Sequence, residues 1–165
     1  MPDLQSLIPH RPPFLRLDEI VELAETAIAA RPTLRPDDGL WSRVYAGHYP
    51  GNPITPGALL CEIVFQAGAA LMAHRLSAGS GSPDTASGIA LPSAPRAPQS
   101  PAGIPVITRI RDAKFKQMVR PGDTLEISAA FDEQVSNAYY LHGAVKVRGQ
   151  LAVRVEFTCA RVAAP

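Results

Sequence analysis

From Ala58 to Ala73 nearly every residue is apolar or small, and the exceptions are Cys61, Glu62 and Gln66. A helix that is apolar on every side has two homes, the centre of a protein core or a lipid bilayer. This run is short, rich in alanine and carries a central glutamate, which argues against the bilayer. The expectation is a helix from Pro56 to about Leu76, buried at the centre of a globular domain. Thr55 suits its N-cap and Pro56 its first helical position. Such a helix is stable only if the rest of the chain wraps around it.

The rest of the chain reads mainly as strands. Leu17 to Leu34 holds two short runs, DEIVEL and TAIAARPTL, the second with strand-like alternation, and Pro32 and Pro36 mark an edge or an early end. Asp37-Asp38-Gly39 signals a turn. Ile104 to Phe115 reads as one strand, Pro121-Gly122 as a turn and Thr124 to Gln134 as a second strand. Tyr139 to Arg148 and Leu151 to Ala160 read as a hairpin around Gly149-Gln150. One long buried helix with antiparallel strands places the chain in the α+β class, as a sheet wrapped around a central helix. Its 165 residues, 46% hydrophobic and 19% charged, suit a single folded domain spanning 1–165. Residues 77–103 interrupt the pattern, with Pro, Gly, Ser and Ala at 21 of 27 positions. Lacking periodicity, this stretch reads as a low-complexity surface insertion.

The chemistry concentrates just ahead of and inside the helix. GHYPGNPITPG, residues 47–57, sets His48 among three glycines and three prolines. Prolines fix φ and glycines permit otherwise forbidden φ, so the imidazole is held in a defined place. Histidine is the natural proton-transfer group near neutral pH, although a lone histidine is more often structural. Glu62 follows fourteen residues later. A carboxylate on an apolar helix is expensive to bury unless it is partnered or used, and a protonated one can give its proton to a leaving group. Gln66 lies at i+4 on the same face, where it either orients Glu62 or a water or makes a core hydrogen bond. Gly57 is in the first turn of the helix, where N–H groups lack intrahelical partners and the dipole is positive. Its N–H is a candidate donor to a developing oxyanion. A base, an acid and an oxyanion donor together suit proton abstraction beside a carbonyl with loss of a β-hydroxyl.

GHYPGNPITPG followed by LLCEIVFQAG resembles the signature of the FabZ-type 3-hydroxyacyl-[acyl-carrier-protein] dehydratases, a GHFPGxPIxPG loop with a Glu fourteen residues after the His. IPHRPPFL at 8–15 is similar to that family's PHRxPFLL segment, and DAKFKQMVRPGDTL at 112–125 to its ARFxxxVxPGDxL strand-turn-strand. The resemblance covers most of the chain apart from 77–103. It implies a hotdog fold, a curved antiparallel sheet around one helix, and a homodimer or a trimer of dimers with the site at the dimer interface. His48 would take the C2 proton, Glu62 of the partner subunit would assist departure of the C3 hydroxyl, and the Gly57 N–H would hold the thioester carbonyl. No metal or redox cofactor is implied. The substrate would arrive on the phosphopantetheine of acyl carrier protein, in fatty-acid or related acyl-chain synthesis. Glu rather than Asp at the acid position favours dehydration without isomerisation. One departure is the stretch Ile104 to Thr108, which lacks the tyrosine that gates the family's acyl tunnel.

Net charge is +1, which gives no reason to propose nucleic acid. Locally, Arg109, Arg111, Lys114, Lys116 and Arg120 fall within twelve residues against one acid, Asp112. They are either a docking surface for acidic acyl carrier protein or a solvated strand face. Cys61 and Cys159 are expected as buried thiols rather than a disulfide. The first residues show no basic and apolar signal pattern, so a cytoplasmic enzyme is expected. Two rival readings share the expected fold: an acyl thioesterase, and a non-catalytic acyl-binding subunit, which would have no chemical need for both His48 and Glu62.

Overall fold

The structure, a computed structural model, describes residues 1–32, 34–37, 39–78 and 104–162. The low-complexity stretch expected at 77–103 lies outside the described residues, except that its first two residues continue the long helix. Helix α1 is Leu4–Leu7, strands β1 and β2 are Glu19–Leu23 and Ala27–Arg31, and helix α2 is Gly39–Gly47. The long helix, α3, is Gly57–Ala78. Four strands follow: β3 (Ile104–Phe115), β4 (Leu125–Val135), β5 (Ala138–Val147) and β6 (Gln150–Val162). They form one six-stranded sheet in the order β1-β2-β4-β5-β6-β3, antiparallel at every pairing.

The central helix is where its composition demands. Ile63, Val64, Ala67, Ala70 and Leu71 have no exposed surface, and α3 packs against β2, β4, β5, β6 and β3. By length and hydropathy alone α3 also passes as a membrane span. Each aliphatic side chain buried here contributes about 1.5–3 kcal/mol, which is what places it in the core. The strands supply the other half in alternation. On β5, Tyr139, Leu141, Val145 and Val147 turn inward and are buried. The β5–β6 connection is the two-residue turn Arg148-Gly149, with φ of 51° and 76°. Two successive positive φ values make a hairpin turn whose twist matches the strands. The turn therefore sits one residue earlier than Gly149-Gln150, and Gln150 begins β6.

Two helices go beyond the strands and single helix read from the sequence. α1 is one short turn. α2 fills the stretch after the expected Asp37-Asp38-Gly39 turn. Its Trp41 and Tyr45, four residues apart, are both buried with ring centroids 5.6 Å apart. That i, i+4 aromatic pair was the available signal.

At Gly143 the sheet approaches the helix closely. A Cβ there would lie 2.4 Å from Val64 Cγ1 and 2.5 Å from the Ser128 carbonyl oxygen. The carbonyl is backbone and cannot rotate away. Gly143→Ala is expected to destabilise the fold by about 2–3 kcal/mol through overpacking, read as a lower urea midpoint. An unchanged midpoint would show that helix and sheet separate there at no cost.

Candidate active site

The proline-glycine loop is tied down at four points. His48 N–H bonds the Val44 carbonyl at 2.8 Å and prolongs the last turn of α2. Tyr49 then takes a left-handed φ of 58° and Gly51 one of 84°, which turns the chain back. Thr55 N–H donates to the Val119 carbonyl at 2.7 Å, and Thr55 Oγ1 lies 3.0 Å from the Tyr45 hydroxyl. Burial pushes the Tyr45 phenol above its ordinary value, against a smaller lowering by the Thr55 bond. Arg120 Nη1 donates to Asn52 Oδ1 at 2.7 Å. The loop is therefore fastened both to α2 and to the 116–124 connection between β3 and β4.

Within this frame His48 Nδ1 lies 2.9 Å from the Ile54 carbonyl oxygen. A carbonyl only accepts, so Nδ1 carries the hydrogen and the lone pair is on Nε2. The loop thus fixes both the orientation of the ring and the tautomer suited to a base. Tyr49 meets the imidazole edge-on at 4.7 Å between centroids.

Thr55 is not the helix N-cap that the sequence suggested, because its hydroxyl is taken by Tyr45. Pro56 holds the cap position instead: its carbonyl accepts from Leu59 and Leu60 at 3.0 and 3.1 Å. Proline has no side-chain acceptor, so the first N–H groups of α3 are left without a side-chain cap. Gly57 opens the helix there. A Cβ at Gly57 would lie 2.6 Å from Phe115 Cε1, so the half-exposed Phe115 ring lies over this glycine.

Glu62 is less enclosed than the apolar surroundings suggested, with 23% of its side chain exposed. It belongs to the partly exposed stripe Glu62, Phe65, Ala69 and Ala73 along one face of α3, where Phe65 and Ala69 also pack against the core. Its Oε1 accepts from Gln66 Nε2 at 2.9 Å and lies 3.9 Å from His10 Nε2. Gln66 is fully buried and makes three bonds. Its Oε1 accepts from the Arg16 N–H at 2.8 Å, and Nε2 donates to the Phe14 carbonyl at 2.9 Å and to Glu62. Gln66 is thus both an orienter of Glu62 and a core hydrogen-bond bridge, joining two readings that the sequence had set apart. His10 entered the sequence reading only as part of the IPHRPPFL segment. Nothing in its spacing from Glu62, 52 positions away, reveals the contact.

Within one chain His48 and Glu62 do not meet. His48 has Ile54 and Tyr49 as neighbours, and Glu62 has Gln66 and His10. Two surface recesses, one lined by Asp18, Arg31 and Asp123 and the other by Leu4, Pro12 and Leu15, contain neither residue. The basic cluster divides. All five are exposed, but Arg111 lies 4.0 Å from Glu156, Lys114 3.1 Å from Asp112, and Arg120 donates to Asn52, while the Arg109 and Lys116 side chains have no ion-pair partner among the described residues. Cys61 and Cys159 are buried free thiols, as expected, and burial pushes Cys159 up to about 11. Among the described residues no group of three or more His, Cys, Asp or Glu is placed to hold a metal ion.

The Gln66 bridge has a measurable cost of removal. Gln66→Met keeps the volume but removes the acceptor for Arg16 N–H and the donor for Phe14 C=O. A loss of about 2–4 kcal/mol in unfolding free energy is expected. A loss below ~0.5 kcal/mol would show that the N-terminal segment is held by other contacts.

Curved antiparallel sheet and enclosed helix define the hotdog fold, and relatives agree. A family model described as a FabA-like domain matches residues 8–93, the part that holds His10, His48, Gly57, Glu62 and Gln66. A 3-hydroxyacyl-[acyl-carrier-protein] dehydratase FabZ of Oenococcus oeni is 30% identical over 151 residues, covering 91% of this chain and 90% of the relative. One from Rickettsia bellii is 29% identical over 160 residues, covering 94% and 91%. Among solved structures, the dehydratase heterocomplex ApeI:P from Xenorhabdus doucetiae superposes with a TM-score of 0.69. It covers 96% of this chain and 90% of that one at 14% identity, a likeness of fold. The chain belongs to the FabA-like family, among its FabZ-type 3-hydroxyacyl-[acyl-carrier-protein] dehydratases.

Proposed function

We propose that the protein is a hydro-lyase that converts (3R)-3-hydroxyacyl thioesters, borne by acyl carrier protein, to trans-2-enoyl thioesters in fatty-acid or related acyl-chain synthesis. The observation that carries the chemistry is the Nδ1–H···O=C bond from His48 to Ile54, which leaves Nε2 as the base. In the proposed reaction Nε2 takes a proton from C2. The C2 electron pair forms the C2–C3 double bond, and the C3–O bond breaks. Protonated Glu62 gives its proton to the departing hydroxyl, which leaves as water. The Gly57 N–H donates to the thioester oxygen while negative charge builds on it. His48 ends protonated and Glu62 ionised, and proton exchange through water restores both. No electrons leave the substrate, so the reaction calls for no redox cofactor, and this donor set suggests no metal.

The working unit in this reading is at least a homodimer, with three such pairs as a further assembly, and it acts in the cytoplasm. Three features support the pairing. His48 and Glu62 do not meet in one chain. The edge strand β3 and the loop after it expose Ile107, Ile110, Phe115 and Met118, and a long apolar edge invites a second copy. The stripe Glu62, Phe65, Ala69 and Ala73 is small or apolar apart from the acid. A second copy related by a twofold axis would complete two sites at once.

Mixing variants tests mechanism and assembly together. His48→Ala and Glu62→Gln are each expected to lower enoyl formation by two to four orders of magnitude without unfolding the protein. Refolded together in equal amounts, they should recover about a quarter of wild-type activity, since half the dimers are mixed and each of these has one intact site of two. Either variant keeping near-normal turnover would refute the roles, and no recovery on mixing would refute the shared site. Release of free thiol in place of enoyl product would identify a thioesterase.

Arg109 and Lys116 are the proposed docking contacts for the acidic carrier. Arg109→Glu with Lys116→Glu should raise KM for carrier-bound substrate about tenfold or more, while small thioesters react as before. Equal losses on both substrates, or none, would remove these residues from carrier recognition.

A further inference from the structure

Glu62 has two carboxylate oxygens, and the fold treats them differently. The Gln66 amide cannot be turned over. Its oxygen must face the Arg16 N–H and its nitrogen must face the Phe14 carbonyl, because main-chain groups of fixed polarity stand on both sides. The remaining amide hydrogen therefore points at Glu62 Oε1, which is obliged to accept it.

His10 approaches the same oxygen. Its Nε2 is 3.9 Å from Oε1, while its Nδ1 is buried with no hydrogen-bond partner. With the hydrogen on Nδ1, an N–H would be buried without an acceptor and the Nε2 lone pair would face the carboxylate oxygen. With the hydrogen on Nε2, only an unused lone pair is buried and the N–H faces Oε1. The second arrangement leaves the cheaper orphan. The ring is held in place by its stack on Phe14, 5.8 Å between centroids and 18° between planes. The Phe14 carbonyl is the one that orients Gln66, so the Gln66 donor and the His10 ring beside Oε1 are aligned by one short segment, residues 10–16.

We propose that His10 is a positioning residue that, with Gln66, confines Glu62 Oε1 to accepting and so assigns the catalytic proton to Oε2. This rests on the dehydratase reading above and adds to it which atom delivers the proton. Oε2 has no partner among the described residues, so a proton placed there is free to pass to the leaving hydroxyl. On Oε1 the proton would meet the Gln66 amide hydrogen at 2.9 Å and face the His10 N–H at 3.9 Å. The N-terminal segment thereby acts as a template for the acid, as the loop at 48–55 does for the base.

Three substitutions separate this role from a structural one. His10→Gln keeps an N–H near the position of Nε2, His10→Asn places its amide near Nδ1, and His10→Phe keeps the stack but has no donor. Steady-state dehydration of 3-hydroxyacyl thioesters on acyl carrier protein is the assay, with thermal unfolding as the control. His10→Phe and His10→Asn should lose about ten- to a hundredfold in kcat with KM within about twofold, while His10→Gln stays within about threefold of wild type. If His10→Phe does not fold, the contrast between Gln and Asn decides. The proposal is overturned if the Phe or Asn variant keeps kcat within about threefold, if Gln falls as far as they do, or if the loss lies in KM. A wild type that makes no enoyl thioester overturns the dehydratase reading as well. An active wild type with an indifferent His10 overturns this proposal alone.

Discussion

The structure depends on hiding a helix that has no naturally wet face. α3 carries Ile63, Val64, Ala67, Ala70 and Leu71 on one side with no exposed surface, and Leu60, Cys61, Gln66 and Met72 widen the buried arc. An isolated helix of this composition is insoluble, and a flat sheet covers only one side of it. The six strands therefore lie against one side, and the N-terminal segment, with α1 beside α3, closes part of the other. Close approach then becomes a requirement. Gly143 on β5 meets Val64, and Gly68 on α3 leaves room for the Phe157 ring, where a Cβ would stand 2.7 Å away. Side chains there would hold helix and sheet apart and undo the packing of everything around them.

The same constraint explains why polar groups on α3 are few and engaged. Gln66 has no exposed surface and would be a large liability if unsatisfied. It is satisfied almost entirely by backbone, through Arg16 N–H and Phe14 C=O. One amide thus joins the N-terminal lead-in to the middle of the core helix, and its last hydrogen goes to Glu62. The stability of the segment and the orientation of the acid are consequences of a single buried side chain.

Much of this was legible in the sequence because it follows from local pattern. An uninterrupted apolar run permits only burial, strand alternation is a period-two signal, and the bounds of β3 were read as they stand. The dense Gly/Pro spacing around His48 announced a rigid loop, and the loop is fastened by hydrogen bonds to α2 and to the 116–124 connection. What escaped depends on groups distant in sequence. Thr55 looks like a helix cap until Tyr45, ten residues earlier, takes its hydroxyl. Arg120 lies on the basic surface, but its bond to Asn52, sixty-eight residues away, exists only in the fold. Lys114 and Arg111 look free until Asp112 and Glu156 stand beside them. His10 lies in a recognisable segment, but its distance from Glu62 exists only after the chain has folded over α3. Short α2 was hidden for another reason, since glycines are both its first and its last residue, Gly39 and Gly47, and Gly39 also closes a turn signal.

His48 and Glu62, the base and acid of the proposed reaction, share one arrangement. Each presents two heteroatoms, and the protein spends one to leave the other open. The Ile54 carbonyl occupies His48 Nδ1 and leaves Nε2. The Gln66 amide occupies Glu62 Oε1 and leaves Oε2. In both cases the fixing partner is anchored by main-chain bonds: Ile54 precedes Thr55, which is bonded to Val119, and Gln66 is set by Phe14 and Arg16. Backbone groups have no rotamers to lose, so such anchors cost little entropy and hold their polarity. A site arranged this way needs no further contact within the chain between acid and base. In the proposed dimer each half is oriented separately, on its own element, and the second copy brings the open atoms to opposite sides of one substrate.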